Sequence, residues 1–193
     1  MKTTIVAAYD PISRTIADGG EILVYFTKPE RGFRKSREYH PVILGGKAFR
    51  RLLRDHGGPI PERTNIVISS TLQEWSPNLP LPLKKNRNPH WFATKYNAAP
   101  LGVVIRPTIE EALKYAGTVS EEAIIAGGTS RYEETMARAN RLEITEVHDT
   151  PVEGKKKFPE INPIEWRKKY MERQNGYSFV TYIRVASLLD KLD

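Results

Sequence analysis

The stretch A-I-I-A-G-G-T-S-R-Y-E-E-T-M, running from Ala123 to Met136, decides the fold class. Its apolar run Ala123-Ile124-Ile125-Ala126 has the length and continuity of a buried strand, and Gly127-Gly128 follows it directly. Thr129 or Ser130 can then cap a helix that runs through Tyr132, Met136 and Ala139. A strand that turns on glycines into a helix suits an anionic ligand. The backbone can approach closely, and the first-turn N–H groups and the helix dipole favour negative charge. The same order also serves plain helix–strand packing, and from this stretch alone both readings stand.

The unit recurs upstream. Pro41-Val42-Ile43-Leu44 reads as a second buried strand, Gly45-Gly46 as its turn, and Lys47 to about Asp55 as its helix. Ile5 to Tyr9 reads as the first strand, Asn65 to Ser70 as another, and Val103-Val104-Ile105 as a fourth. Glu21 to Thr27 is a short strand or a loop over a pocket, and Pro29-Glu30 opens a helix reaching about Tyr39. Thr108-Ile109-Glu110-Glu111 starts a helix with a T-x-x-E capping box. Leu142 to Val147 alternates as a strand, Trp166 lies in a polar run, and Tyr177 to Ile183 is a final strand. Strands alternating with helices predict an α/β fold: a mostly parallel central sheet, flanking helices and an antiparallel C-terminal hairpin.

A chain of 193 residues predicts a single domain, 1–193. Residues 71–100 are rich in proline and asparagine and carry the basic knot Lys84-Lys85-Asn86-Arg87; they read as a long insertion pinned by Trp75, Trp91, Phe92 and Tyr96. The net charge of +7 fits a nucleic acid, a polyanionic small ligand or a basic solvated surface. The basic residues are dispersed and no recognition helix or RNP signature accompanies them, so a nucleic-acid partner is not expected. No apolar run is long enough to cross a membrane and no leader pattern precedes the first strand, which predicts a cytoplasmic protein without a membrane partner. The absence of cysteine excludes disulfides and thiolate ligands, and the scattered His40, His56, His90 and His148 offer no metal-binding spacing.

In order along the chain, these pieces resemble the dihydrofolate reductase family over nearly the full length. The opening I-V-A-A-Y-D and P-V-I-L-G-G-K-A-F resemble the family's first strand and its P-V-I-M-G-R-x-T-x segment. G-P-I-P-E-R-T-N-I-V-I-S-S resembles R-P-L-P-x-R-x-N-I-V-L-S, and A-I-I-A-G-G-T-S-R-Y-E resembles I-x-V-I-G-G-x-x-x-Y. L-E-I-T-E-V followed by E-G-K-K-K-F-P resembles L-x-L-T-x-I followed by G-D-x-x-F-P. The 71–100 segment is longer than the family's usual connection.

The resemblance implies a monomeric reductase that passes hydride from NADPH to dihydrofolate and binds antifolates such as methotrexate or trimethoprim. It implies a cis peptide at Gly127-Gly128 and cofactor contacts there, at Ala126, Thr129, Ser130 and Tyr132, and at Ala8 and Ile16. Gly45, Gly46 and Lys47 match the first cofactor-phosphate loop, with Gly46 where the family has arginine. Ser69, Ser70 and Arg106 match positions near the adenosine 2′-phosphate. Arg63 matches the arginine that grips the α-carboxylate of the folate's glutamate, a task suited to a planar bidentate donor. Ala8, Phe33, Ile60 and Tyr132 match pocket walls, and Thr145 matches the threonine that bonds the catalytic acid. The acid itself is out of place. Pro29 stands at the matching position, Glu30 beside it is the first candidate and Glu21 the second, and I-L-V replaces the lid's L-P-W. Two alternatives follow: a riboflavin-pathway pyrimidine reductase on the same fold, or a non-catalytic basic binding protein on this scaffold.

Overall fold

The computed structural model describes residues 1–16, 40–56, 58–60, 63–70, 102–148 and 155–185. The 71–100 insertion, the strand or loop at Glu21 to Thr27 and the helix opened by Pro29-Glu30 lie outside the described residues. The chain divides into two compact units, one holding residues 23–124 with Met1 and the other residues 2–22 and 125–193.

The first unit is built on β2 (Val42–Gly45), β3 (Thr64–Ile68) and β4 (Gly102–Arg106), all parallel, in the order β4-β3-β2. Val42, Ile43, Ile66 and Val67 are buried throughout, and such continuous apolar runs mark strands covered on both faces. Two helices belong to this unit: α1 (Gly46–His56) and α2 (Ile109–Val119). Helix α1 buries Phe49, Leu52 and Leu53, and α2 buries Ile109, Ala112 and Ala116 at helical spacing. Thr108 caps α2 as its sequence predicts, its hydroxyl accepting from Glu111 N–H at 3.2 Å.

The second unit orders β1 (Lys2–Tyr9), β6 (Arg141–Val147), β8 (Tyr177–Arg184) and β7 (Trp166–Gln174) in the sequence β1-β6-β8-β7. β1 and β6 run parallel; β6, β8 and β7 run antiparallel. The connecting strand β5 (Glu122–Ala126) begins in the first unit and ends in the second, where it leads into α3 (Thr129–Met136). The C-terminal end of α3 is held by Arg184, which donates to Met136 O at 2.5 Å and Ala139 O at 2.7 Å while lying 4.4 Å over the Trp166 ring. A cation at that end also complements the helix dipole. Between β6 and β8, the buried Glu143 accepts from Thr181 Oγ1 at 2.7 Å and pairs with Arg141, so its charge is compensated.

Trp166, at the head of its polar run, begins β7, whose residues 167–171 are solvent-exposed. Two expectations need correction. The cap of α3 is Gly128, without a side-chain cap bond, rather than Thr129 or Ser130. No cis peptide occurs among the described residues; Gly127 and Gly128 instead take φ of 84° and 99°. Two successive positive-φ residues make the strand-to-helix turn by themselves, a conformation open to glycine and strained for other residues.

Candidate functional site

In the first unit the predicted residues gather at the carboxyl ends of three parallel strands. Gly45 pairs with Ile68 across β2 and β3, and Ile68 pairs with Arg106 across β3 and β4. Gly46, Lys47, Ser69, Ser70 and Arg106 therefore stand at one edge, where parallel α/β sheets bind their ligands. Ser69 N–H donates to Arg106 O at 3.0 Å, fixing the two strand ends to each other. Arg106 lies 4.5 Å over the Tyr115 ring and donates to Ile105 O at 2.7 Å, which holds the guanidinium at the strand terminus. Lys47 is exposed in the first turn of α1, a turn with no acidic residue.

Gly46 has a local reason to be glycine. A Cβ there would come within 3.3 Å of both Cβ and Oγ of Ser69 and 3.5 Å of Ile68 O. Any side chain, the expected arginine included, would press on the end of β3. The exposed cation of this loop is Lys47, one residue on. Hydroxyls, a guanidinium, an ammonium and a helix N-terminus form a donor set that fits a phosphate.

Arg63 and Ile60 belong to the same unit. Both are buried, and Arg63 donates to His40 O at 3.3 Å. The His40 ring bonds Ser120 Oγ at 2.7 Å, and Ser120 caps the C-terminal end of α2.

In the second unit, β1 and β6 set Ala8 directly opposite Thr145. Ala8, matched by the resemblance to a pocket wall, and Thr145, matched to the acid-bonding threonine, thus share a sheet face. Glu146, the next residue on β6, points the other way, toward Tyr182, whose hydroxyl is pushed up to about 12 by burial and by that carboxylate. Ile16 is tied down by its N–H to Lys156 O at 2.8 Å and bridges to Tyr9. Phe158, from the F-P motif, is buried between Tyr9 and Tyr132, with centroid separations of 5.2 and 5.1 Å.

Tyr132 is wholly buried. Its hydroxyl accepts from Gly127 N–H at 2.9 Å and donates to Val6 O at 3.1 Å. Burial pushes the phenol above its ordinary range, so the donor proton is retained. In this position Tyr132 acts behind the glycine turn, as a brace, rather than as an exposed wall. Tyr132→Phe leaves the buried Gly127 N–H without an acceptor and lowers folding stability by roughly 1–3 kcal/mol. Chemical denaturation checks this, and a loss below about half a kcal/mol would show that the bond does little.

At the front of the turn, Thr129 Oγ1 is buried and has no hydrogen-bond partner among the described residues. Beside it lie the N–H groups of Thr129 and Ser130, which precede the first intrahelical bonds, those of Arg131 and Tyr132 N–H to Gly128 O at 3.0 and 3.2 Å. An orphaned hydroxyl at a helix N-terminus, next to glycines that admit close approach, fits an anionic cofactor group. Phe33, Glu30 and Glu21 lie outside the described residues. Sequence reasoning missed Asn65, whose side chain makes three hydrogen bonds around Ile60 and Arg63. Its place in the R-T-N run was the available signal, since buried asparagines commonly close turns through their side chains.

Comparison with known proteins agrees with this geometry. Residues 78–184 match the family model described as dihydrofolate reductase. Dihydrofolate reductase HdrB of Haloferax volcanii is 26% identical over 177 residues, covering 89% of this chain and 78% of that protein. Dihydrofolate reductase type 3 of Salmonella typhimurium is 31% identical over 153 residues, 75% of each chain, and the Neisseria gonorrhoeae dihydrofolate reductase is 33% identical over 149 residues, 74% of each. Among solved structures, the Enterococcus faecalis dihydrofolate reductase complexed with NADP(H) and RAB-propyl shares the fold, with a TM-score of 0.60 at 22% identity over 95% of this chain and 96% of that one. With a family model matched over more than half its length and relatives above 30% identity along three quarters of it, the chain belongs to the dihydrofolate reductase family.

Proposed function

We propose that this protein reduces 7,8-dihydrofolate to 5,6,7,8-tetrahydrofolate with NADPH. The observation that carries the reading is the direct pairing of Ala8 with Thr145 across β1 and β6. It supports the reading by setting a residue matched to the pocket wall beside the residue matched to the acid-bonding threonine. When bound, NADPH supplies the hydride, and the protein supplies orientation, exclusion of water and control of the proton. Gly127, Gly128, Thr129 and Ser130 hold one part of the cofactor through backbone N–H groups and the Thr129 hydroxyl. Gly46, Lys47, Ser69, Ser70 and Arg106 hold a phosphate at the strand ends of the first unit. Thr145 orients the acid, for which Glu30 is the first candidate and Glu21 the second. That carboxyl pairs with the amidine-like edge of the pterin and raises the basicity of the nitrogen beside the carbon to be reduced. Arg63 takes the α-carboxylate of the substrate's glutamate.

On this reading the protein works in the cytoplasm as a monomer and binds methotrexate and trimethoprim in the substrate's place. Among the described residues, no helix is long and apolar enough to cross a membrane. The test is loss of reduced-nicotinamide absorbance on mixing the protein with NADPH and dihydrofolate. We expect turnover that depends on both compounds and stops with stoichiometric methotrexate. Turnover with a diaminopyrimidine substrate of the riboflavin pathway and none with dihydrofolate would overturn the reading.

A further inference from the structure

We infer that Asn65 is a positioning residue for the substrate's glutamate tail, acting through Arg63. The inference rests on the proposed role of Arg63. Asn65 is the second residue of β3 and is completely buried. Its Oδ1 accepts from Ile60 N–H at 2.9 Å, and its Nδ2 donates to Ile60 O at 2.9 Å and to Arg63 O at 3.0 Å. A side-chain amide offers two donors and a two-lone-pair acceptor, so three of its four bonds are spent on the backbone of two proposed substrate contacts. They close Ile60 and Arg63 onto the start of β3. The side chain of Arg63 is held separately, by donation to His40 O at 3.3 Å, and His40 is itself held by Ser120 at 2.7 Å.

Arg63 is therefore fixed at its main chain by Asn65 and at its guanidinium by His40. A guanidinium held in one orientation loses little freedom when a carboxylate arrives, and the bidentate pair needs that orientation. Removing the Asn65 amide releases the main-chain anchor while leaving every group that touches the substrate in place. The loss is specific to substrates that carry the tail carboxylate.

The experiment compares Asn65→Asp, Asn65→Ser and Arg63→Ala with the unaltered protein, using dihydrofolate and a tail-less 7,8-dihydropterin. Asn65→Asp retains the acceptor for Ile60 N–H and loses both donations; Asn65→Ser is the milder variant. We expect each Asn65 variant to raise the KM for dihydrofolate about tenfold. The KM for the tail-less dihydropterin, kcat and NADPH affinity should stay within about twofold. Equal KM rises for both substrates, or a fall in kcat with either, would mean that Asn65 merely supports the fold and would overturn the inference. If Arg63→Ala shows no tail-dependent loss, the role of Arg63 itself is wrong. If Arg63→Ala shows it and neither Asn65 variant does, only the inference about Asn65 fails. Should neither variant fold, the unaltered protein decides by the solvent exchange of the Asn65 side-chain amide, followed by NMR. Slowing by folate but not by pteroate supports the role, and equal slowing by both removes it.

Discussion

Gly128→Ala weakens NADPH binding by roughly tenfold or more, with dihydrofolate affinity in the absence of cofactor nearly unchanged. The reasoning separates two ways a glycine can be required. Among the described residues, a Cβ at Gly128 would meet only Arg131 Cγ, at 3.7 Å, which is ordinary contact. Crowding is therefore not the objection. The backbone is: Gly128 has φ 99° and ψ 121° at the N-cap of α3, a region that L side chains rarely adopt. Holding alanine there costs on the order of 1–3 kcal/mol, and the chain recovers it by relaxing the turn. Relaxation moves the first-turn N–H groups and the Thr129 hydroxyl that are proposed to hold the cofactor. The thermal midpoint should fall as well, because the turn is braced from behind by Tyr132 through Gly127. Fluorescence titration with NADPH and a melting curve measure the two effects. A lower melting point with unchanged NADPH affinity would show that the turn supports the fold without touching the cofactor. Gly46→Ala offers the contrast. There the constraint is Ser69 at 3.3 Å, and a shift of a few tenths of an ångström suffices, so a milder loss is expected.

The strands that build the site were legible because burial on both faces leaves a continuous apolar run. Val42-Ile43-Leu44, Ile66-Val67-Ile68 and Ile124-Ile125-Ala126 are such runs, and each is a strand of the structure. β7 hid for the opposite reason. Its neighbour β8 covers one edge, its middle residues face solvent, and Arg167-Lys168-Lys169 carry no alternation. The legible signal was Asn175-Gly176 just before β8, the pair favoured in tight hairpins, with Gly176 at φ 81°. A charged edge of this kind also resists pairing with other strands.

At the site, residue types were readable and backbone states were not. Gly-Gly after a strand announces a special turn, but a cis bond and a pair of positive φ angles both call for glycine. Thr129 had the right chemistry for a cap. The chain turned one residue earlier, which left its hydroxyl without a partner among the described residues. Tyr132 lies on a short helix where an aromatic residue suits a pocket wall or a core equally well. Its choice is made by Val6 O, a partner 126 residues away in sequence, which no local pattern reveals. The pairing of Ala8 with Thr145 followed from two parallel strands in register, each identified by its own apolar pattern.

The acid is the residue on which the chemistry turns, and Glu30→Gln is expected to lower kcat for dihydrofolate by on the order of 10²–10⁴-fold near neutral pH. The glutamine keeps the size of the side chain and removes the charge that raises the basicity of the pterin nitrogen. NADPH affinity should stay within about twofold, since no cofactor contact is assigned to this residue. The deficit should also shrink as the pH falls, because bulk acid then protonates the substrate nitrogen without help. Thr145→Val is the graded companion. Thr145 is buried on the same face as Ala8, and losing its hydroxyl disorders the acid without removing it, so a smaller kcat loss with the same pH trend is expected. Glu21→Gln decides between the candidates, since both glutamates lie on the same sequence segment between Ile16 and Pro41. If Glu21→Gln produces the pH-dependent loss and Glu30→Gln does not, the role passes to Glu21. If neither changes turnover, neither glutamate serves the pterin, and Asp18→Asn and Glu38→Gln test the remaining carboxyls of the segment. If all four are silent, no carboxyl exists there for the pterin, and the natural substrate is another pteridine or a pyrimidine.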